Sequence, residues 1–298
     1  MRKALNLSAK LIAKLAQRVA GPGIQFARLQ LWRHRESPEA AVTNLVRYRC
    51  NICDSTCMSR LAQLSREERS CWRCGSTVRM RAIIHLLSME LFGQSLTITE
   101  FPTRPDIKGI GLSDWDGYAV RLACKLGYTN TYYHQQPMLD ITCVDPALAG
   151  TMDFVIASDV FEHVAPPVSM AFDNVRRLLK PNGVLILTVP YTLERQTREH
   201  FPELYRFEVM QERGRYLLRN TTKDGEAQVF DNLVFHGGPG STLEMRVFCE
   251  AVLLDHLKKS GFAQIKVHRQ PCFGFGVVWL QDWSLPITAR GTQFAGVG

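Results

Sequence analysis

The length, charge and cysteine content of the chain limit what it can be. It has 298 residues, 46% of them hydrophobic, and a net charge of +8, enough for one α/β domain of ordinary size and a small module. The sequence contains no run of 18 uncharged apolar residues, so we predict no transmembrane helix. Nine cysteines, an odd number, without a secretory signal favour a reducing compartment over a disulfide framework. We therefore expect a cytoplasmic protein.

The first 44 residues are predicted to form a basic arm. Residues 1–35 contain eight Lys and Arg and no acidic residue. Apolar residues recur at helical spacing in Met1–Ala20, which predicts an amphipathic helix that ends at Gly21-Pro22-Gly23. The apolar stripe consists of Leu7, Leu11, Leu15 and Val19. Two interpretations stay open: a surface helix or frayed arm, and an anchor that lies in the plane of anionic lipid at the inner face of the membrane.

Two C-x-x-C pairs lie close together in residues 45–80. Cys50 and Cys53 are followed, after 17 residues, by Cys71 and Cys74, a spacing typical of a tetrahedral four-cysteine zinc site. The segment is short and Arg-rich and could not bury a core alone, so we expect it to take its folding energy from the metal. Because four thiolates close the coordination sphere, the predicted zinc ion is structural.

Strands and helices alternate over the rest of the chain, residues 81–298, which is typical of an α/β domain with a mostly parallel sheet. Glycine and proline separate the elements, as at Gly127 and Pro181-Asn182-Gly183. In chain order we predict a helix over 80–92, a strand over 107–112, a helix over 118–126, strands over 129–134 and 153–159, a helix over 168–180, a strand over 184–189, a helix over 243–259 and strands over 264–268 and 277–280.

Three stretches of this region resemble class I, Rossmann-like methyltransferases that use S-adenosylmethionine. They read DFVIASDVFEHV at 153–164, NVRRLLKPNGVLILTVPY at 174–191 and KKSGF at 258–262. The resemblance covers about residues 105–285 and implies S-adenosylmethionine as cofactor. It also implies a Rossmann-like sheet with a terminal reversed hairpin, here preceded by the N-terminal helix and a small zinc-ribbon-like module.

The resemblance places the first cofactor contacts after the first strand of this domain. Gly109 and Gly111 match the first two glycines of the family's loop, where the backbone approaches the cofactor. Ser113 replaces the third glycine and Asp114 follows it. Ile107 stands where the family usually has an acid, so the loop departs from the pattern there.

Three further places are implied to contact the cofactor. Gln135, after the second strand, stands where the family has an acid that accepts the ribose hydroxyls. Asp140 and Ile141 match the loop that receives the adenine amino group. Asp159 ends the fourth strand, beside the methionine half of the cofactor.

Asp159, Glu162 and His163 form a D-x-x-E-H set that carries the candidate chemistry. His163, with Glu162 beside it, is a candidate general base. The set also resembles the E-x-x-E-H sites of family members that methylate catechols or RNA ends, which implies a divalent cation held at these three residues. A role in orienting the loop or the cofactor is the third interpretation.

A long insertion, residues 191–240, separates the fifth strand from the last helix. Its length makes it a candidate cover for the substrate, with a predicted hairpin around Thr222-Lys223-Asp224-Gly225. His200 and His236 are possible second bases.

Three functions fit these observations. The leading hypothesis is O-methylation of a small polar or glycan acceptor, because residues 86–298 are slightly acidic and need no phosphate backbone. The second is methylation of ribosomal or transfer RNA that is gripped by the zinc module and the basic arm. The third is a catalytically inactive methyltransferase fold that acts as an adaptor.

Overall fold

The computed structural model describes residues 44–236 and 242–291. The basic arm predicted over the first 44 residues lies outside this range except for Asn44. The chain divides into Met1–Thr43 and one compact unit, Asn44–Gly298, which contains both the cysteine module and the sheet. In the described residues, no helix has the length and apolar character needed to cross a bilayer.

The cysteine module begins with a short hairpin. Strands β1 (Leu45–Arg49) and β2 (Thr56–Arg60) pair antiparallel, and the first C-x-x-C pair forms the turn between them. Helix α1 (Val78–Phe92) follows the second pair. Thr77 caps it by accepting a hydrogen bond from the Met80 amide, and Gly93 ends it in the left-handed conformation, φ +67°. The predicted helix over 80–92 is confirmed.

The remaining elements build the α/β domain. In chain order they are β3 (Arg104–Leu112), α2 (Asp116–Ala123), β4 (Leu126–Thr131), β5 (Met152–Ser158), α3 (Ser169–Leu178), β6 (Leu179–Thr188), β7 (Tyr191–Thr192), β8 (Arg198–Glu199), β9 (Arg206–Glu212), β10 (Arg215–Thr221), β11 (Ala227–Phe230), β12 (Phe235–His236), β13 (Thr242–Leu243), β14 (Arg246–Cys249), α4 (Glu250–Lys259), β15 (Phe262–Val267) and β16 (Ile287–Gly291).

Six strands form the central sheet in the order β15-β16-β6-β5-β3-β4. Strands β3, β4, β5 and β6 are parallel to one another. Strand β16 runs antiparallel to β6, and β15 runs antiparallel to β16. The α/β class and the terminal reversed hairpin are thus confirmed. The chain proceeds from β3 to β4 on one side and then to β5 on the other, which makes the edge between β3 and β5 the topological switch point of the sheet.

The prediction for the final strand was wrong. The hairpin partner of β15 is Ile287–Gly291, not residues 277–280. Val277 instead makes an isolated bridge to Cys272, and Val277 and Val278 are buried in the same core as the cysteine module. Both segments are short and apolar, so periodicity could not distinguish the strand from a buried loop.

Two helix boundaries also differ from the prediction. Gly127 does not close α2 but lies in β4, where a side chain would come within 2.4 Å of the Pro105 carbonyl oxygen. The last helix begins at Glu250, not at Leu243, because β14 first pairs with β7 and β8. Both differences arise from strand pairing that a local pattern does not contain.

Alternate residues of the central strands face two different cores. Phe154 and Ile156 of β5 pack with α1, α2 and the cysteine module, while Val155 and Ala157 pack with α3 and α4. Full burial of each large apolar side chain contributes about 1.5–3 kcal/mol. The module therefore covers one face of the sheet and shares its core, so its predicted boundary near residue 80 does not separate two cores.

The insertion carries its own small sheet. Strands β9, β10 and β11 form an antiparallel sheet, and the turn between β10 and β11 contains Gly225 at φ +88°. The predicted hairpin around Thr222–Gly225 is confirmed. A third core, which includes Phe201, Leu218 and Met245, joins this sheet to β13 and β14.

Candidate functional site

The four cysteines predicted to bind zinc converge. One sulfur from each of Cys50, Cys53, Cys71 and Cys74 lies within 4.8 Å of the others. The Sγ atoms of Cys50 and Cys74 are 3.7 Å apart, and those of Cys53 and Cys71 are 3.6 Å apart. Four sulfurs at about 2.3 Å from a tetrahedral zinc ion are separated by about 3.8 Å. The donor set and its spacing fit zinc.

A fifth thiol lies beside this cluster. The Cys57 sulfur is 3.5 Å from that of Cys71 and close to the Ser55 carbonyl oxygen. It falls outside the group of four whose sulfurs share one centre. Cys57 therefore packs against the metal site without completing it.

Two arginines of the module also contact the residue that follows β5. Arg66 lies between the C-x-x-C pairs, and its two Nη atoms reach the Asp159 carboxylate at 3.0 and 2.5 Å. The Arg79 Nε, in the first turn of α1, lies 3.1 Å from the same carboxylate. Nη1 of Arg79 also donates to the Ser158 hydroxyl. Asp159 is thus the point at which the module meets the carboxyl end of the parallel strands.

The environment of Asp159 fixes its charge and its backbone. Burial would raise the pKa of this carboxyl, but the charges of Arg66 and Arg79 outweigh it and hold the pKa below its usual value. Thr188 of β6 donates a further hydrogen bond at 3.1 Å. Asp159 has φ +53°, a left-handed conformation that is uncommon for a residue other than glycine, and these contacts hold it.

Gly109 and Gly111 lie within the last residues of β3, where close packing within the chain requires them. A Cβ at Gly109 would lie 2.1 Å from the Phe154 ring, and one at Gly111 would lie 1.9 Å from the Tyr128 hydroxyl. The turn that follows contains Ser113 at φ +57°. The structure thus gives both glycines a role in packing, and their predicted contact with the cofactor remains a separate prediction.

Asp114 is the buried acid of this turn. Its Oδ2 accepts a hydrogen bond of 2.6 Å from Tyr128, while Oδ1 and the Tyr118 hydroxyl are buried without a hydrogen-bond partner among the described residues. Burial raises the pKa of Asp114 to about 7, against the opposing effects of the nearby Tyr128 and Tyr118 hydroxyls and the charge of Arg79. Two unpartnered polar atoms beside the switch point fit a polar ligand such as the amino-acid end of S-adenosylmethionine.

The other predicted cofactor residues lie along the neighbouring loops. Gln135 is exposed in the turn after β4. Asp140 accepts hydrogen bonds from the amide and the hydroxyl of Thr142 at 2.8 and 2.7 Å, which makes it a turn-forming residue in this structure. Ile141 is buried, and its carbonyl accepts from Asn174.

Glu162 and His163 meet the insertion. The structure joins them to His236, since one ligand atom from each of the three residues lies within 4.8 Å of the others. Asp159, the third member of the predicted set, instead forms ion pairs with Arg66 and Arg79. The rings of His163 and His236 lie edge to face with centroids 4.8 Å apart.

A hydrogen bond fixes the orientation of the His163 ring. Its Nδ1 lies 2.9 Å from the Leu243 carbonyl oxygen, and because a carbonyl can only accept, Nδ1 carries the proton. The lone pair of the neutral ring is therefore on Nε2, which lies 3.7 Å from Glu162 Oε1. Burial lowers the pKa of His163, so the ring is neutral near pH 7.

Glu162 is fully buried and neither of its carboxyl oxygens has a hydrogen-bond partner among the described residues. Burial, with the nearby charge of Asp159, raises its pKa well above the usual value. A buried carboxyl group without a partner is costly. Such a group is neutral in isolation and ionised when it is given a proton donor or a cation.

Glu244 contacts two histidines of the insertion, His200 and His236. Its carboxylate lies 2.7 Å from Nε2 of His200 and 2.9 Å from Nε2 of His236. Glu244 was not predicted from the sequence, because its contact with His200 arises only when β8 pairs with β14. Arg66 and Arg79 were missed for the same reason, although the Arg-rich composition of the module was visible.

A cavity of about 610 Å³ opens on the other side of this loop. Its lining includes Pro166, Phe201, Tyr205, Lys223 and Arg246, and none of Glu162, His163 or His236 contributes to it. Arg246 is fully buried and donates to the Phe161 and Val164 carbonyl oxygens, which hold the loop of Glu162 and His163 in place.

Comparison with known proteins agrees with the fold. Residues 99–221 match a family model described as a methyltransferase domain. No match is found among curated protein sequences. Solved structures with a similar fold include a Burkholderia thailandensis 1,6-didemethyltoxoflavin N1-methyltransferase, at 14% identity over 71% of this chain and 79% of that one, with a TM-score of 0.40.

Two other solved structures are similar to the same extent. A protein from Pyrococcus horikoshii OT3 has 13% identity over 72% of this chain and 91% of that one, with a TM-score of 0.40. A sugar N-methyltransferase from Streptoalloteichus has 12% identity over 70% of this chain and 85% of that one, with a TM-score of 0.39. These values are too low to indicate an acceptor.

The family match begins just before β3 and ends with β10, so it includes the glycine turn, the switch point and the loop of Glu162 and His163. The sheet order with its reversed hairpin is the one that the sequence resemblance implied. The chain thus contains a methyltransferase domain with the class I sheet order, and a four-cysteine module packs on one face of that sheet.

Proposed function

We propose that this methyltransferase transfers a methyl group to a hydroxyl oxygen of a small polar or glycan acceptor, with His163 as the proton acceptor. The observation that carries the proposal is the hydrogen bond from His163 Nδ1 to the Leu243 carbonyl. It leaves a lone pair on Nε2 of a neutral ring next to the carboxyl end of β5, where a general base is needed.

The proposed methyl transfer breaks one bond, forms one bond and moves one proton. S-adenosylmethionine supplies the methyl group and leaves as the neutral thioether when the bond from carbon to sulfur breaks. The acceptor oxygen forms the new bond to carbon, and its proton moves to Nε2 of His163. Glu162, 3.7 Å from that nitrogen, is placed to stabilise the imidazolium that results.

In a second form of the proposal, a divalent cation binds at the same site. Glu162, His163 and His236 are three candidate ligands, and Glu244 contacts Nε2 of His236 at 2.9 Å, as outer partners of metal-bound histidines contact the ring. The site differs from the one implied by the sequence, since Asp159 is replaced by a histidine of the insertion. In this form the cation holds the acceptor hydroxyl and lowers its pKa.

The two forms predict opposite responses to a chelator. Purified protein with a labelled cofactor is treated with EDTA and then with Mg²⁺, Mn²⁺ or Zn²⁺, under conditions that leave the four-cysteine module loaded. Full turnover in EDTA supports His163 as a base without a metal. Loss of turnover that is restored by one of these ions supports the cation form.

RNA is the second candidate acceptor, and the outer face of the module favours it. Arg47 and Met58 are exposed and paired across the β1–β2 hairpin. Trp72 is 75% exposed and donates to the carbonyl of Thr56 in the same hairpin. Within the described residues, Arg47 and Arg60 have no ion-pair partner. Exposed arginines beside an exposed aromatic side chain are typical of surfaces that bind single-stranded RNA.

One experiment separates the candidate acceptors. The protein is incubated with labelled cofactor and a fractionated cell extract, and the label is sorted into RNA, glycan and small-molecule pools. Label in glycans or small molecules supports the leading proposal, and label in RNA that falls steeply with salt supports the second. Label in no pool, together with no calorimetric binding of the cofactor, would support the inactive adaptor.

We also propose that zinc is the ion of the four-cysteine cluster and that the protein works in a reducing compartment. All nine cysteines are free thiols in the structure, and four of them match the donor set that zinc prefers. Metal analysis of protein purified without chelators tests the first part, with one zinc ion for each chain as the expected result. Attachment of the basic arm to anionic membranes remains a prediction from its sequence alone.

A further inference from the structure

Arg79 lies between the ends of the two strands that define the switch point. Its charge acts on Asp114 and Tyr118, which follow β3, and on Asp159, which follows β5. In sheets of this kind the ligand binds outside the carboxyl ends of the strands at the switch point. Arg79 therefore lies beside the switch point, in contact with Ser158 and Asp159, although it belongs to the segment that leaves the cysteine module.

Arg66 occupies the other side of the same carboxylate. The side chains of Arg66 and Arg79 are 19% and 15% exposed, and that of Asp159 is 18% exposed. The other acid that contacts both arginines, Glu67, is 51% exposed. Two guanidinium groups therefore meet one largely buried carboxylate at the cleft, and solvent screens much of the remaining acidic charge.

The hydrogen bonds of the two guanidinium groups do not use all of their N–H donors. Arg66 uses its Nε on the Ser284 carbonyl and its Nη atoms on Asp159 and Glu67. Arg79 uses its three nitrogens on Glu67, Ser158 and Asp159. Each Nη atom carries two hydrogens, so N–H groups of both residues are without a partner among residues 44–236 and 242–291.

We propose that Arg66 and Arg79 bind the carboxylate of the cofactor's amino-acid end, so that the cysteine module forms part of the cofactor site. S-adenosylmethionine has one anionic group, and a guanidinium pair is the strongest protein partner for a carboxylate. Asp114, with its unpartnered Oδ1, is placed for the positive ammonium of the same end. The inference rests on the cofactor and is independent of the acceptor.

The arrangement ties cofactor affinity to the metal of the module. Arg66 lies in the loop between the C-x-x-C pairs, and its backbone carbonyl accepts from the Arg79 amide at 3.2 Å. When the cluster loses its metal, this loop loses its anchor. Affinity for the cofactor is expected to fall with it, before any acceptor is involved.

The test is a pair of calorimetric titrations on the full-length, metal-loaded protein. One ligand is S-adenosylhomocysteine, and the other is 5′-methylthioadenosine, which lacks the amino-acid end. For R66M and R79M we expect affinity for S-adenosylhomocysteine to fall about 10- to 100-fold, the effect of losing a charge-assisted contact. Affinity for 5′-methylthioadenosine is expected to stay within about twofold of the wild type.

R69M is the matched control, because Arg69 lies in the same loop between the C-x-x-C pairs as Arg66 but is exposed. R66K and R79K are made as well, and they are expected to recover part of the lost affinity by restoring the charge without the planar fork. Zinc content and melting temperature of each variant show that it is folded.

Three results would overturn the proposal. An equal loss for both ligands would mean that the arginines only support the cleft. Unchanged affinity for S-adenosylhomocysteine in both arginine variants would mean that they do not touch the carboxylate. Absence of binding in the wild type would remove the cofactor site altogether, whereas failure of methyl transfer to any one acceptor would leave this inference intact.

Discussion

Nδ1 of His163 donates a hydrogen bond of 2.9 Å to the carbonyl oxygen of Leu243, a residue 80 positions further along the chain. The contact joins the loop after β5 to the end of the insertion, and it decides which ring nitrogen is available. Activity that depends on this lone pair follows from the fold of the insertion as much as from the D-x-x-E-H set.

Replacement of His163 by asparagine is expected to lower kcat about 10²- to 10⁴-fold, because a general base contributes that much. Affinity for S-adenosylhomocysteine is expected to stay unchanged. H200N is the matched control, since His200 contacts Glu244 and not the proposed reacting atoms. Steady-state kinetics with the identified acceptor provide the measurement, and a similar loss in both variants would assign His163 a structural role.

The pH dependence of the wild-type enzyme follows from the same ring. Only neutral His163 can accept the proton, and burial lowers its pKa below the usual value. We expect kcat to rise with pH through an apparent pKa below about 6.5 and then to stay level through neutral pH. A profile that first rises above pH 8 would point to the acceptor hydroxyl or a bound cation instead.

Glu162→Gln is expected to stabilise the protein at neutral pH when chelator is present. The raised pKa of Glu162 means that its contribution is present at low pH and is lost as pH rises, because ionisation of the buried group then favours unfolding. Glutamine has the same shape and cannot ionise. Melting temperatures in EDTA across pH 5–8 measure the effect, and the reverse order of stability after addition of Mn²⁺ would reveal the cation form of the site.

Serine replacement of Cys71 and Cys74 is expected to remove the metal and lower the melting temperature sharply, because the module shares the core of the sheet and takes folding energy from the ion. C57S is the matched control, since Cys57 is equally buried and lies 3.5 Å from Cys71 but outside the ligand set. Metal analysis and thermal unfolding are measured together. Unchanged metal content in the C71S/C74S variant would contradict the zinc site.

Arg81→Met is expected to destabilise the protein by about 3 kcal/mol or more, because it leaves several buried acceptors without a donor. Arg81 is fully buried, and it donates to the carbonyl oxygens of Ser76, Phe275 and Gly276. Lysine cannot span the same acceptors, so R81K is expected to recover little. Chemical denaturation measures the difference, with exposed R60M as the reference variant.

The sequence alone determined the features that are written in local patterns. The spacing of four cysteines defined a set that converges in the structure, because the ligands come from two short turns. The run from Asp153 to Val189 predicted β5 and α3 to within about two residues, since buried strands and an amphipathic helix have distinct periods. Strand β6 begins at Leu179, before the turn predicted at Pro181-Asn182-Gly183, because these residues belong to the strand.

Only the tertiary structure decided which distant side chains meet. Arg66 and Asp159 are 93 residues apart in sequence, and His163 meets His236 through an insertion that crosses the end of the sheet. Strand pairing also moved the final strand to Ile287–Gly291. A charge on an exposed loop and a charge in a cleft look alike in sequence, because burial and pairing depend on contacts that no local pattern encodes.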